Sequence, residues 1–256
     1  MAARDGDPAR PRSLRDVTEP AAPRPLHLPA LPPGVVLLDL DGTLTDSAPG
    51  ITGSLRSALT DAGLPVPDDA TLRRFVGPPL PQMLAAHGVP ADRLDELVAR
   101  YRAHFTAGGM FDNAVFPGIV DALDALRGAG AVLAVATSKP EVYARQIVEH
   151  FGLDAHLTHG VDGVFGADAD QGPRSGKAEV VAHALASLRA RGVDVGPTTT
   201  VMVGDREHDV LGAGRHGLPT VGVSWGYAEP GELEAAGAVA VVGTPAELAA
   251  LLLGSR

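Results

Sequence analysis

Two aspartates, Asp39 and Asp41, directly follow an uninterrupted run of apolar residues. The run at 35–38 reads Val-Val-Leu-Leu, which is typical of a strand buried on both faces of a parallel sheet. Side chains two positions apart on an extended chain point to the same side, so both carboxylates are expected in one small volume. Because two such acids repel each other and lose hydration, they need a compensating cation or shared proton. The pair therefore predicts a ligand site at the C-terminal end of a core strand, where open α/β sheets bind ligands.

Other polar residues follow predicted strands further along the chain. They are Thr137, Ser138 and Lys139 after the run 131–136, Asp205 and Asp209 after the run 199–203, and Lys177 at a predicted helix start. The C-terminal ends of parallel strands meet at one edge of a sheet. The sequence thus predicts that carboxylates, a hydroxyl and an ammonium gather there.

The elements that position these residues alternate between strand and helix from Phe116 onward. Predicted strands cover 131–136, 157–161, 199–203, 218–223 and 239–242, with amphipathic helices between them. Strand–helix–strand units of this length predict an α/β fold with a doubly wound, mainly parallel sheet. The predicted core comprises residues 34–46 and 116–256.

Residues 47–115 show helical periodicity and no convincing strand, so we expect a helical cap inserted between the first two core strands. The first 33 residues contain eight prolines and lack a hydrophobic period. Proline removes backbone donors and forbids a regular helix, so residues 1–33 are expected to form a disordered or loosely docked extension.

Composition excludes several classes of function. The 256-residue chain has a net charge of −10, which argues against sequence-independent binding to nucleic acid. It has no cysteine, so disulfides and cysteine-ligated metals are excluded. No apolar run approaches the roughly 20 residues that span a bilayer, and no secretory signal is evident. We therefore expect a cytoplasmic protein with no membrane or nucleic-acid partner; the sequence leaves its oligomeric state open.

Four motifs resemble those of the haloacid-dehalogenase-like superfamily, in the same order and on the same α/β pattern. They are Asp39-Leu40-Asp41-Gly42-Thr43-Leu44, Thr137, Lys177 and Gly204-Asp205-Arg206-Glu207-His208-Asp209. The predicted insertion after the first motif is similar to that superfamily's cap. The resemblance covers about residues 34–253 and implies phosphoryl transfer, which depends mainly on positioning and charge stabilisation.

The resemblance implies a role for each motif residue. Asp39 is the expected nucleophile and Asp41 the expected proton carrier. Mg²⁺ is the expected cofactor, since it favours oxygen ligands. Its expected ligands are the side chains of Asp39 and Asp205, the backbone carbonyl of Asp41, and Asp209, which alternatively orients Lys177. Lys177 is expected to neutralise phosphate charge; the expected substrate-binding residues are Thr43, Thr137, Ser138, Gly77 and Pro78.

Within the superfamily, the stretch Phe75–Leu80 resembles the specificity loop of phosphoglycolate phosphatases and of related bacterial 5′-nucleotidases. A departure from these relatives is the long stretch 160–176 before Lys177. His208 is expected to support the structure rather than bind metal, and Trp225 and Tyr227 are expected to pack rather than stack on substrate.

The sequence predicts a Mg²⁺-dependent phosphatase that hydrolyses a small phosphorylated metabolite, either a 5′-nucleotide or phosphoglycolate. A phosphomutase of the same fold would share Asp39 and Asp41 but return the phosphoryl group to the substrate. A phosphate-binding or phospho-accepting domain also places an aspartate, a hydroxyl and a lysine at a sheet edge. A glycosyltransferase that uses Asp-x-Asp would leave Lys177 without a role.

Overall fold

A computed structural model of the chain describes residues 26–169 and 172–254. The strands are β1 (Val35–Leu38), β2 (Thr45–Asp46), β3 (Ala114–Val115), β4 (Val132–Pro140), β5 (Val164–Ala167), β6 (Thr200–Gly204), β7 (Thr220–Val223) and β8 (Ala240–Val242). The helices are α1 (Ala48–Asp61), α2 (Asp69–Arg73), α3 (Leu80–Ala86), α4 (Ala91–Ala107), α5 (Ile119–Gly128), α6 (Glu141–His150), α7 (Lys177–Ala190), α8 (Glu207–Gly214), α9 (Glu232–Ala236) and α10 (Pro245–Leu252).

Strand β1 lies at the centre of the main sheet. Within the described residues, six strands pair in the order β5-β4-β1-β6-β7-β8, and each neighbouring pair is parallel. Leu38 of β1 is in register with Val135 of β4 and Val203 of β6, so β1 and β6 end side by side while β4 continues to Pro140. The predicted α/β fold with a mainly parallel sheet is confirmed.

Helices cover both faces of this sheet because its central strands are apolar on both sides. Val36 and Leu38 contact one cluster with α5, α6 and α10, whereas Val35 and Leu37 contact a second cluster with α7 and α8. All four β1 side chains are at most 1% exposed. The apolar run at 35–38 is therefore buried as a parallel central strand should be.

The segment between β2 and β3 folds as helices α1–α4, which share an apolar cluster of their own. The sequence predicted no strand here, and this was wrong in one detail. Thr45–Asp46 pairs antiparallel with Ala114–Val115, and the two short strands form the neck through which the chain leaves and re-enters the core. Strands of two residues are too short to show alternation, which explains why periodicity missed them.

The predicted strand at 157–161 was also wrong. Residues Leu153–His156 and Gly160–Gly163 form short 3₁₀ helices, and the edge strand β5 follows at Val164–Ala167. Gly160 has φ +54°, in the left-handed region that a strand does not adopt. Leu157 is buried, but it packs as part of a turn.

Most of the predicted N-terminal extension, residues 1–25, lies outside the described residues. Within residues 26–33, Leu28 packs against the main core cluster. Among the described helices, none combines the length and hydrophobicity needed to cross a bilayer.

Candidate active site

Asp39 lies at the end of β1 and is held by groups from its neighbouring elements. Its backbone N–H donates to Val203 O at 2.9 Å. Lys177, the first residue of α7, donates from Nζ to Asp39 Oδ1 at 2.7 Å and to Ala136 O at 2.9 Å. The same Nζ lies 2.6 Å from Asp209 Oδ1. The start of α7 therefore carries a buried ammonium into the sheet edge, where the sequence predicted it.

Three carboxylates form a buried cluster beside this ammonium. One oxygen from each of Asp39, Asp205 and Asp209 lies within 4.8 Å of the others. Asp205 is 0% exposed, and its two oxygens accept from Thr43 Oγ1 at 3.3 Å and from the backbone N–H of Tyr227 at 2.8 Å. Gly42 packs directly against it, because a Cβ at Gly42 would lie 2.2 Å from Asp205 Oδ2.

The electrostatics of the cluster follow from burial and like charge. Burial raises the pKa of Asp39, opposed by Lys177 and reinforced by Asp209. Burial, Asp209 and Asp39 together raise the pKa of Asp205 well above its ordinary value. Burial alone would lower the pKa of Lys177, but Asp209 and Asp39 outweigh it and hold that pKa above its ordinary value. Lys177 therefore stays protonated, but its single positive charge does not balance the negative charge of three ionised carboxylates.

A divalent metal fits this arrangement. Three carboxylates and one ammonium leave a local charge of −2 when ionised. The donors are all oxygens, the ligand type that Mg²⁺ prefers. The cluster of Asp39, Asp205 and Asp209 could therefore hold a divalent metal ion.

Asp41 has a cation of its own, separate from the lysine of the acidic cluster. Its Oδ2 lies 3.0 Å from Lys139 Nζ, and both side chains are at most 8% exposed. Lys139 Nζ also lies 4.6 Å from the ring centre of Phe105 on α4, a cation–π distance. Asp41 Oδ1 is buried and has no hydrogen-bond partner among the described residues. This oxygen is available to a group that enters the cavity beside it.

A cavity of about 240 Å³ opens next to Asp41, between the helical insertion and the core. Gly77, Pro78 and Ser138, all expected to bind substrate, line it. Most of the remaining wall is apolar or aromatic, including Tyr101 and Tyr143. The insertion thus forms the roof and the sheet edge forms the floor.

Thr43 and Thr137 lie deeper than the cavity wall. Thr43 is fully buried and supports Asp205 through its hydroxyl. Thr137 is 1% exposed, and its Oγ1 accepts from the backbone N–H of Lys139 at 3.3 Å. Their expected contact with substrate stays a prediction.

The long stretch before Lys177 forms part of the cavity wall. Arg174 pairs with Asp168 at 2.6 Å and with Glu141 of α6 at 3.0 Å. These two ion pairs join Asp168 and Arg174, at the two sides of the loop, to each other and to α6. Ala167 and Ser175 line the cavity beside this pair. Residues of this stretch therefore contribute to the cavity wall.

A second opening, of about 210 Å³, reaches Lys177 from the side of α7 and α8. His208 and Gln82 line it together with Ser138. Burial lowers the pKa of His208, which favours the neutral imidazole at neutral pH. Among the described residues, His208 does not belong to the carboxylate cluster that could hold a metal ion.

Two residues that shape the site had no functional role in the sequence analysis: Lys139, which was placed at the sheet edge without a role, and Tyr227. Lys139 follows two residues to which roles had been assigned, and its position in that motif was the available signal. Tyr227 was expected only to pack. Its hydroxyl donates to Asp46 Oδ1 at 2.8 Å and accepts from the N–H of Ala48 at 3.0 Å, while its own N–H holds Asp205. No sequence pattern signals that double contact.

Comparison with known proteins gives an independent view of the same arrangement. The family model described as haloacid dehalogenase-like hydrolase matches residues 36–223. This range includes every residue of the four motifs.

Three curated relatives are similar over most of the chain. Tyrosine-protein kinase PtkA of Mycobacterium tuberculosis is 47% identical over 199 residues, covering 78% of this chain and 65% of the relative. The chain thus spans slightly less than two thirds of that relative. A 5′-nucleotidase of Pseudomonas aeruginosa is 42% identical over 201 residues, covering 78% of this chain and 86% of the relative. A plasmid phosphoglycolate phosphatase of Cupriavidus necator is 34% identical over 232 residues, covering 89% and 96%.

A solved structure agrees with the fold. The crystal structure of a predicted phosphatase from Clostridium acetobutylicum superposes with a TM-score of 0.79 at 39% identity. The match covers 87% of this chain and 99% of that one. The helical insertion and the core are therefore both within the matched length.

Proposed function

Because the chain belongs to the haloacid dehalogenase-like hydrolase family, we propose that it hydrolyses phosphomonoesters through an aspartyl-phosphate intermediate. One observation carries the proposal: Asp39, Lys177 and the carboxylates of Asp205 and Asp209 converge at the sheet edge, and Asp41, two residues after Asp39, lines a cavity and has an unpaired Oδ1. This set provides a nucleophile, a proton carrier and a charge environment for phosphoryl transfer.

The first step transfers the phosphoryl group to the enzyme. A carboxylate oxygen of Asp39 forms a bond to phosphorus as the bond to the leaving oxygen breaks, and Asp41 gives that oxygen a proton. Lys177 holds Asp39 in place and offsets the negative charge of the phosphoryl oxygens. In the second step Asp41 takes a proton from water, the water oxygen bonds to phosphorus, and Asp39 leaves as inorganic phosphate is released.

The remaining expected roles belong to the same proposal. Thr137 and Ser138 would hold phosphate oxygens, and Thr43 would keep Asp205 in place. Magnesium would be bound by Asp39, Asp205, Asp209 and the backbone carbonyl of Asp41, and would neutralise phosphate charge. The proposal also keeps the predicted domain limits: an N-terminal extension at 1–33, a core at 34–46 and 116–256, and a helical cap at 47–115.

The proposed substrate is a small phosphomonoester, either a nucleoside 5′-monophosphate or 2-phosphoglycolate. The names of the relatives support both, and Gly77 and Pro78, which line the cavity roof, are the proposed sites of the discriminating contacts. A phosphate-release screen over nucleotides, phosphoglycolate and sugar phosphates with added Mg²⁺ would identify the class. The proposal also keeps the expected cytoplasmic location, which cell fractionation tests.

Asp39→Asn tests the mechanism. The variant should keep the circular dichroism spectrum and lose phosphate release from p-nitrophenyl phosphate by at least about 10³-fold, since an amide cannot form the acyl phosphate. Asp121→Asn, on the exposed face of α5, is the matched control and should keep full activity. Wild-type turnover by Asp39→Asn would refute the mechanism.

Similarity to PtkA favours a second candidate, in which the phosphoryl group on Asp39 comes from a nucleotide and passes to a tyrosine hydroxyl. The two candidates share the first bond to Asp39 and differ in the acceptor. Two labelled donors separate them: a phosphomonoester labelled on its phosphate should give labelled free phosphate if the chain is a hydrolase, whereas γ-labelled ATP should give label on tyrosine if it is a kinase. A phosphomutase would instead return label to the substrate, and a phospho-accepting domain would retain it on Asp39.

A further inference from the structure

The cap segment that carries Gly77 and Pro78 is attached to the core by a side chain adjacent to the acidic cluster. Arg206 follows Asp205 directly, and its Nη1 donates to Val76 O at 2.8 Å. Its Nε donates to Glu232 Oε1 at 2.8 Å. Arg206 and Glu232 are each 11% exposed, so the pair is largely shielded from water.

We propose that Arg206 is a positioning residue, which docks the cap segment 73–79 onto the core and so sets the roof of the substrate cavity. The proposal rests on the proposed function, because it assigns a substrate-positioning role within that cavity. The contact from Arg206 is made one residue before Gly77, so the point of attachment and the cavity roof are adjacent in the chain.

The geometry of the cap segment supports this role. Phe75 packs in the apolar cluster of the cap, whereas Val76 is fully buried in the main core cluster. The chain therefore crosses from cap to core between these two residues. Gly77 has φ +105°, and a Cβ there would lie 3.3 Å from Arg206 Cγ. Glycine allows the segment to turn back into the roof while staying against the arginine.

Glu232 fixes Arg206 from the core side. Its Oε1 also accepts from the N–H of Glu207, at 2.9 Å, and its Oε2 accepts from the N–H of Glu229, at 3.0 Å. A carboxylate with several donors has a defined orientation and restricts the guanidinium that binds it. Arg206 is thereby aimed at the cap carbonyl before any substrate enters.

Two neighbouring cap residues contact the same region of the core. The guanidinium of Arg73 lies 5.1 Å from the ring centre of Tyr227, and Arg74 Nε lies 3.1 Å from Glu229 Oε1. The Arg74–Glu229 pair is mostly exposed and therefore weak. The buried Arg206 contact is the strongest polar link among these three.

Arg206→Gln and Glu232→Gln test the proposal by hydrogen–deuterium exchange and steady-state kinetics with p-nitrophenyl phosphate. If docking sets the population of the binding-competent cap, its loss should raise KM about tenfold with kcat within twofold. Exchange should increase in residues 72–88 and stay unchanged in α8 beyond Glu207, whose own N–H donates to Glu232. Arg100→Gln breaks an exposed pair with Glu96 inside α4 and is the matched control, expected to change neither reading.

Three results would overturn the proposal: unchanged exchange in residues 72–88, a fall in kcat with KM unchanged, or an increase confined to α8, which indicates a purely structural role. If Arg206→Gln fails to fold, Glu232→Gln decides, because it leaves the arginine in place. The exchange measurement needs no turnover. A wild-type protein without phosphatase activity would refute the proposed function, while the exchange result would still decide the docking role.

Discussion

At the scale of single residues, Asp205 shows how a site built for charge costs stability. Its pKa is raised by burial and by its two neighbouring carboxylates, so keeping it ionised in the folded chain is unfavourable. A carboxyl whose pKa is higher in the folded than in the unfolded state stabilises the fold at low pH. That contribution is lost as the pH rises through the folded value. At neutral pH, Asp205 therefore lowers the free energy of unfolding of the metal-free protein.

Asp205→Asn is expected to stabilise the metal-free protein. The amide oxygen still accepts from the N–H of Tyr227, and the amide nitrogen can donate to the hydroxyl of Thr43. We expect a gain of about 1–2 kcal/mol in the free energy of unfolding at pH 7. For a chain of this size, each kcal/mol raises Tm by about 2–4 °C. Thermal unfolding in EDTA measures it, and the gain should shrink as the pH falls toward about 4, where the unfolded carboxyl also takes a proton.

Asp209→Asn provides the comparison. Asp209 pairs with Lys177 and accepts from the N–H of Arg206 at the start of α8, so its replacement should lower stability. Equal losses in both variants would contradict the assignment of the excess charge to Asp205.

The residues of the site were predictable where one residue type and its chain position defined the chemistry. Asp39 and Asp41 followed a buried strand, and Lys177 stood at a predicted helix start in the position that the family motif gives its lysine. Tyr227 was not predictable, because its role depends on the meeting of a loop after β7 with the neck at Asp46. Such contacts follow from the three-dimensional arrangement and have no local pattern.

At the scale of elements, the insertion is attached through an unusually close backbone contact. Gly50 in α1 donates its N–H to Asp112 O at 2.9 Å. A Cβ at Gly50 would lie 1.8 Å from Gly109 O and 2.8 Å from Asp112 O. Both atoms are backbone, so this contact between the first and last segments of the insertion cannot accommodate a side chain by rotamer changes.

Gly50→Ala is expected to destabilise the protein by about 3 kcal/mol, because the methyl group would force the outgoing and returning segments of the insertion apart. Urea unfolding at pH 7 measures the change. Gly53→Ala, on the exposed face of the same helix with open space at its Cβ, is the matched control. It should gain up to about 1 kcal/mol from helix propensity. Similar stability for the two variants would contradict the close packing of Gly50 against Gly109 and Asp112.

Elements with strong periodicity were predictable, and the weak ones were not. The central strands and the helices around them follow from buried runs and amphipathic spacing. The edge strand Val164–Ala167 was misplaced because the apolar residues just before it fill a turn with the same composition. The composition of residues 157–161 indicates that this stretch is partly buried but does not indicate a strand or a turn. The turn there depends on the left-handed conformation of Gly160.

At the scale of the whole molecule, the sheet edge and the insertion enclose the site from opposite sides. The core supplies the acidic cluster and Lys177, and the insertion supplies the roof at Gly77 and Pro78. Cap and core meet at the neck, at Arg206 and around Lys139, which contacts Asp41 and Phe105 together. Any ligand that relieves the negative charge of the floor should therefore stabilise the folded chain as a unit.

Magnesium should raise the Tm of the wild-type protein and leave that of Asp205→Asn nearly unchanged. A ligand that binds only the folded state adds about 2.7 kcal/mol at 100 times its dissociation constant, which corresponds to roughly 5–10 °C for a chain of this length. The variant lacks one of three charged ligands and carries less negative charge, so it gains little from a divalent cation. Scanning calorimetry with MgCl₂, against NaCl at equal ionic strength, separates specific binding from screening. Equal shifts in both proteins would show that the stabilising magnesium does not bind at the cluster of Asp39, Asp205 and Asp209.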